Sequence, residues 1–166
     1  ASSRWHRRAA IGGAILLAFL LVAGGVVTWC LSMPGESFEG TPPTLDEAGR
    51  DLADRLRTHV ERLADAFGRR NPAHPAIYRG AETYLASAFE SMDYSVELED
   101  VPTRDEVFHN VVAERRGRSR ADEIVVVGAH HDSVRGSPGA DDNASGVAAV
   151  LELARWWQTI ESPSRT

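Results

Sequence analysis

The stretch GAHHDSVRGSPGADDNASG, residues 128–146, brings His130, His131, Asp132, Asp141 and Asp142 into one short segment. Imidazole nitrogen and carboxylate oxygen are donors that suit zinc and similar divalent cations. Residues two apart in an extended segment point to the same side, so His130 and Asp132 share a side and His131 faces away. One of that pair can hold a metal while the other orients a ligand or the attacking group. A metal-bound histidine commonly gives its second N–H to a carboxylate, which fixes its tautomer and aim. Gly136, Pro138 and Gly139 form a tight return that can carry Asp141 and Asp142 back toward the histidine. A helix opening after Asn143 would point its N-terminus at the same place, where carboxylates are favoured.

Each piece also has a purely structural reading. Asp141, Asn143 or Ser145 could be helix caps, Asp132 could cap the loop, and His131 reads as a packing or surface residue. Taken together at the end of a strand, they favour a metal site.

The elements that must position this segment follow from periodicity. IVVVG, residues 124–128, is apolar without alternation and reads as a central strand covered on both faces. In open α/β sheets, ligands bind beyond the carboxyl ends of such strands. Upstream, TLDE at residues 44–47 has the form of a capping box. Leu45, Ala48, Leu52, Leu56, Val60, Leu63 and Phe67 then recur at helical spacing up to Gly68, with the charged residues on a solvated opposite face. GRRNPAHP, residues 68–75, is a loop, and His74 in it is an ordinary loop histidine. A second helix is predicted over residues 77–92. Strands are predicted at 94–99 and 107–114, with a charged turn of solvated arginines between 115 and 123. A last helix is predicted over 144–157, with Val147, Val150, Leu151, Ala154 and Trp157 as its apolar stripe. This order implies an α/β layered domain.

The chain bears a net charge of −6, and all its 18 Lys and Arg residues are arginine. That balance argues against a nucleic-acid partner. Cys30 is the single cysteine, which excludes an internal disulfide and a cysteine-based zinc site.

Residues 9–33 are uncharged and apolar enough to cross a bilayer. Arg4, Arg7 and Arg8 precede them, and the next basic residue is Arg50, so the N-terminus is expected in the cytoplasm. Trp5 and Trp29 flank the run as interface anchors. The run is too long for a signal-peptide core and has no small-x-small cleavage site. Trp29 stands where a lipoprotein signal needs a small residue before Cys30, and a buried core helix does not explain the arginines. Cys30 reads as a small hydrophobe at the membrane boundary. The expected organisation is a basic cytoplasmic segment at 1–8, a transmembrane signal anchor at 9–33 and a proline- and glycine-rich linker at 34–43. Residues 44–166 then form the N-terminal part of a peptidase domain.

That last expectation comes from a resemblance. IVVVGAHHDS followed by GADDNASGVAAVLELAR resembles the M28 family of zinc peptidases, mostly aminopeptidases. Its members carry A-H-x-D-S after a central strand and G-x-x-D-N-x-S-G opening the next helix. YLASAFESMDYSVELE and FHNVVAE are similar to the family too, so the resemblance covers about residues 44–160. It implies a three-layer α/β domain with a mixed, largely parallel central sheet of the zinc-exopeptidase kind, incomplete here and preceded by one transmembrane helix. It implies that His130 ligates one zinc, that Asp142 bridges two zincs, and that Asp132 is the carboxylate that steers His130. It also implies a cis peptide bond between Asp142 and Asn143. Ala144 stands where many members have glycine.

The implied activity is hydrolysis of N-terminal residues from peptides by a two-zinc mechanism. The family also uses a Glu-Glu pair, a further Asp and a late His. After Asp142 the chain has only Glu152 and Glu161 and no histidine. It is therefore expected to be the front part of an enzyme and inactive alone. The alternatives are a carboxypeptidase or glutaminyl-cyclase-like relative, or a non-catalytic receptor or adaptor on the same fold. The arginine asymmetry predicts that protease added outside intact cells digests residues 44–166. Their full protection would reverse the topology.

Overall fold

The protein was analysed as a computed structural model, which describes residues 2–32, 35, 38–103, 106–161 and 163–166. It divides into two compact units, Ala1–Pro43 and Thr44–Thr166.

The first unit is built on one helix, α1 (Ser2–Leu31). Within it, His6–Leu31 has a mean hydropathy of 2.5, and by length and composition it can cross a membrane. Its large side chains, from Ile11 to Leu31, are exposed. Near its C-terminal end the Thr28 hydroxyl donates to the Gly24 carbonyl and the Ser32 hydroxyl to the Thr28 carbonyl. These bonds satisfy the hydroxyls within the helix, as an apolar environment requires. The Trp5 side chain and linker residues 34, 36 and 37 lie outside the described residues.

The second unit contains α2 (Glu47–Glu61), a π-helical turn (Arg62–Phe67), α3 (Pro75–Glu90), β1 (Ser95–Pro102), β2 (Val107–Glu114) and α4 (Ser145–Gln158). The N-cap of α2 is Asp46 and not Thr44: its Oδ1 accepts from the Gly49 amide at 2.8 Å. Asp46 has the required side-chain oxygen three residues before Gly49, so the helix starts later than the capping box implied. Gly68, at φ +55°, ends the π-helical turn. Pro75 opens α3, where its missing N–H costs nothing. β1 and β2 pair antiparallel, with Leu98 opposite Val111 and Val96 opposite Ala113.

The sheet departs from the expected one. Among the described residues it has two strands, both antiparallel, and not a mixed, largely parallel set. Residues 124–128 form no ladder. Ile124, Val125, Val126 and Val127 are 58–87% exposed. A strand needs a neighbour for its amides and carbonyls, and here the backbone contact is a single bond from the Val125 amide to the Thr166 carbonyl. The apolar run is therefore an unpaired, exposed segment.

The core lies where the helices meet. Leu63, Ala81, Leu85, Phe89, Met92, Ala144, Val147 and Leu151 form it, with Leu63 and Leu151 fully buried. Truncating either leucine to alanine would cost about 2–5 kcal/mol.

The polar side of α2 is not simply solvated. Arg55 and His59 reach across to α4 and close on Glu152, which is 6% exposed. Arg55 Nε lies 2.7 Å from Glu152 Oε2; Arg155 Nε and His59 Nε2 lie 3.1 and 3.3 Å from Oε1. His59 Nδ1 meets the Tyr84 hydroxyl of α3 at 2.6 Å. In the 115–123 turn Arg116, Arg118 and Arg120 are exposed, whereas Arg115 donates to the Trp157 and Ile160 carbonyls near the end of α4.

Burial acts to raise the Glu152 pKa, but hydrogen bonds from Arg55 and Arg155 outweigh it and hold the carboxyl below its ordinary 4.5. A carboxyl whose pKa is lower in the folded than in the unfolded state contributes stability that is present above the unfolded value and lost as pH falls through the folded one. Urea midpoints measured from pH 6 down to pH 3 should therefore fall less steeply for Glu152→Gln than for wild type. Parallel curves would remove Glu152 from the acid response.

Candidate metal centre

Residues 128–133 lie in no helix or ladder, and burial alternates along them from Ala129 to Ser133. His130 and Asp132 are exposed, while His131 and Ser133 are 9% and 2% exposed. His131 packs on the Tyr78 ring with centroids 4.9 Å apart. Burial lowers its pKa against the opposing pull of Glu82 and Asp132. The same interior pushes the Tyr78 hydroxyl up to about 12, through burial and then Asp132 and Glu82. His131 is thus a packing residue.

His130 and Asp142 come together. His130 Nε2 lies 2.9 Å from Asp142 Oδ1, and His130 Nδ1 lies 3.1 Å from Asp132 Oδ1. Asp142 arrives through a return at Gly136 (φ +88°) and Gly139 (φ +62°). The peptide bond from Asp142 to Asn143 is cis. The Asn143 side chain then accepts from the Gly146 amide at 3.0 Å, inside the first turn of α4. Asn143 is therefore a cap, and Ser145 bonds back to the Asp141 carbonyl.

Two glycines are required by close approach. A Cβ on Gly139 would lie 2.6 Å from the Asp142 carbonyl oxygen and 2.7 Å from Ser133 Cβ. A Cβ on Gly146 would lie 2.2 Å from Asn143 Oδ1.

The residue that the sequence reading passed over is Arg70. It is fully buried, and its guanidinium donates to five backbone carbonyls. Nε bonds the His131 carbonyl at 2.8 Å, and Nη2 bonds that of Gly139 at 3.0 Å. Nη1 bonds those of Leu63, Gly68 and Pro138. The Ser133 amide returns a bond to the Arg70 carbonyl at 2.7 Å. Burial lowers the Arg70 pKa, and Asp132 opposes the shift. An arginine remains charged in a protein regardless. Only the turn residues Gly68 and Pro72 marked this position, and nothing local connected it to a loop more than sixty residues on.

The donor set fits zinc. A neutral imidazole has one N–H, yet each ring nitrogen of His130 faces a carboxylate. A second ring proton or a metal cation must balance them. Zinc takes nitrogen and oxygen ligands at about 2.0–2.2 Å, so two ligands on one ion stand about 3 Å apart, as His130 Nε2 and Asp142 Oδ1 do. Among the described residues no group of three or more His, Cys, Asp or Glu side chains is disposed to hold a metal. The candidate centre in this chain is a two-ligand one.

Parts of the chain resemble known proteins. Residues 110–166 match the model of peptidase family M28. The likeness to peptidase family M28 is carried by these residues. The M28 segment contains His130, Asp132 and Asp142, whereas Arg70 lies outside it. The Escherichia coli K12 protein YfbL, itself uncharacterized, is 34% identical over 136 residues, 76% of this chain and 38% of that protein. An aminopeptidase of Pseudomonas aeruginosa is 51% identical over 55 residues, 33% of this chain and 10% of that enzyme. The solved glutaminyl cyclase of Porphyromonas gingivalis matches with a TM-score of 0.53 and 27% identity, over 67% of this chain and 42% of that one. The chain thus spans less than half the length of each of these relatives.

The crowding at Gly139 yields a direct test. Gly139→Ala should destabilise the second unit by about 1–3 kcal/mol in urea unfolding, from the left-handed backbone and the clash with Ser133. An unchanged midpoint would show that the return accommodates a side chain.

Proposed function

We propose that this chain contributes one arm of a two-zinc centre in a membrane-anchored metallo-aminopeptidase, which removes N-terminal residues from peptides. The observation that carries the reading is the 2.9 Å approach of His130 Nε2 to Asp142 Oδ1, made by the M28 segment. His130 and Asp142 would hold metal, Asp142 as the ligand shared between two ions. Bound zinc supplies polarisation of the scissile carbonyl and acidification of a water.

The protein's own residues set up the rest. Asp132, 3.1 Å from His130 Nδ1, holds that nitrogen protonated and leaves Nε2 as the lone-pair donor. Asn143 and Gly146 fix the start of α4, which holds Asp142 in place. Glu152 is closed off by Arg55 and Arg155 and is not a proton acceptor for the site.

In this reading the apolar helix His6–Leu31 is the anchor. Arg4, Arg7 and Arg8 keep its N-terminus in the cytoplasm, and the peptidase domain lies on the outer side of the cell membrane. Peptides are the substrates.

The likeness to a glutaminyl cyclase favours a second reading, cyclisation of an N-terminal glutamine on the same centre. Assaying the intact protein on an aminoacyl anilide and on a glutaminyl peptide separates the two. Release of the aniline supports the peptidase, and a pyroglutamyl product without aniline release supports the cyclase.

In the intact protein, His130→Ala and Asp142→Ala should abolish turnover and most bound zinc, read by metal analysis of dialysed protein. Asp132→Ala should cost about 10–100-fold in zinc affinity or activity. His131→Ala should retain zinc, because its ring faces Tyr78. Equal zinc loss in His131→Ala would mean that the other histidine is the ligand.

A further inference from the structure

The metal ligands reach the site on two separate stretches of backbone, and one side chain ties both stretches together. Arg70 Nε holds the carbonyl of His131, the residue between His130 and Asp132. Its Nη1 and Nη2 hold the carbonyls of Pro138 and Gly139, which lead into Asp142. The remaining bonds, to Leu63 and Gly68, secure the same guanidinium to the π-helical turn after α2. We infer that Arg70 is the positioning residue of the candidate metal centre, setting the separation of His130 from Asp142 before any metal binds.

The chemistry supports this assignment over general packing. All five partners are backbone carbonyls, so Arg70 specifies backbone position and not side-chain identity. Its planar fork directs donors in fixed directions, which a lysine ammonium cannot reproduce. Its surroundings leave little freedom to shift: it is fully buried, and a Cβ on Gly139 would stand 3.0 Å from Nη2. Ser133 adds to the clamp through its amide on the Arg70 carbonyl and its hydroxyl on the Gly68 carbonyl at 3.2 Å. The loop from His131 to Gly139 is therefore closed at both ends on one residue. A free loop would have to be ordered by the metal at the expense of affinity, and a held one presents its ligands ready placed.

This inference rests on the metal-centre reading, and the test separates their failures. Zinc affinity of the intact protein is measured by competition with a chelating dye, for wild type, Arg70→Lys and Arg70→Met, with far-UV circular dichroism as the fold control. Cobalt(II) is substituted in parallel, and its visible spectrum reports ligand geometry. The expected result is folded variants whose zinc affinity falls about tenfold or more, with Arg70→Lys also altering the cobalt spectrum. A folded Arg70 variant with wild-type zinc affinity and spectrum overturns the role of Arg70 alone. A wild type that binds no zinc overturns the metal centre itself. Should both variants unfold, hydrogen exchange on metal-free wild type decides. Protection of the Ser133 and Ala144 amides comparable to that of α3 supports a loop held before metal, and exchange at unstructured rates overturns it.

Discussion

A single buried guanidinium organises the part of this molecule that can do chemistry. Removing a positive charge from water is costly unless its donors are all matched. Each of the three Arg70 nitrogens meets carbonyl oxygen, drawn from three places in the chain: the π-helical turn after α2, the segment at His131 and the return at Pro138 and Gly139. The cost of burial turns a local preference into a constraint. If any one of these stretches moves away, it leaves an unpaired donor on a buried cation. Asp132 adds a longer-range balance, since its carboxylate acts on Arg70 while its Oδ1 faces His130.

Around this centre the hydrophobic core and the polar clamps divide the work. Leu63 and Leu151 bring the α2 end and α4 together without regard to direction, because apolar burial is not directional. Glu152, with Arg55 and His59 of α2, adds a directional tie to the same contact. Buried ion pairs contribute little net stability against apolar replacements but are strongly disruptive when one partner is lost. Their effect here is to tie α2 to α4, the helix that begins just after Asp142.

Much of this was legible in the sequence where period and residue type agreed. The run 107–114 is the strand Val107–Glu114, and the last helix begins one residue from its predicted start. His130 and Asp132 share a side, as a two-residue period demands, and His131 turns inward. The run IVVVG shows the limit of such reasoning. Its composition describes a strand with neighbours on both edges and cover on both faces, and pairing depends on residues that composition does not name. Arg70 was illegible for a related reason: its meaning lies in carbonyls 61 and 69 residues away, and backbone carbonyls carry no sequence signature.

The adjacent histidines acquire a particular meaning from the alternation at residues 130–133. A slip of one residue along an extended segment exchanges its two faces. Here such a slip would still turn an imidazole outward, because His131 would replace His130, but Ser133 would then stand where Asp132 steers the ring. The doublet thus makes the segment degenerate for the donor and distinct for its orienting partner. The neighbouring side chains lift that degeneracy: Asp132 meets His130 Nδ1, the Ser133 hydroxyl turns inward to the Gly68 carbonyl, and the His131 ring packs on Tyr78. The molecule discriminates between two chemically identical side chains through the company that each one keeps.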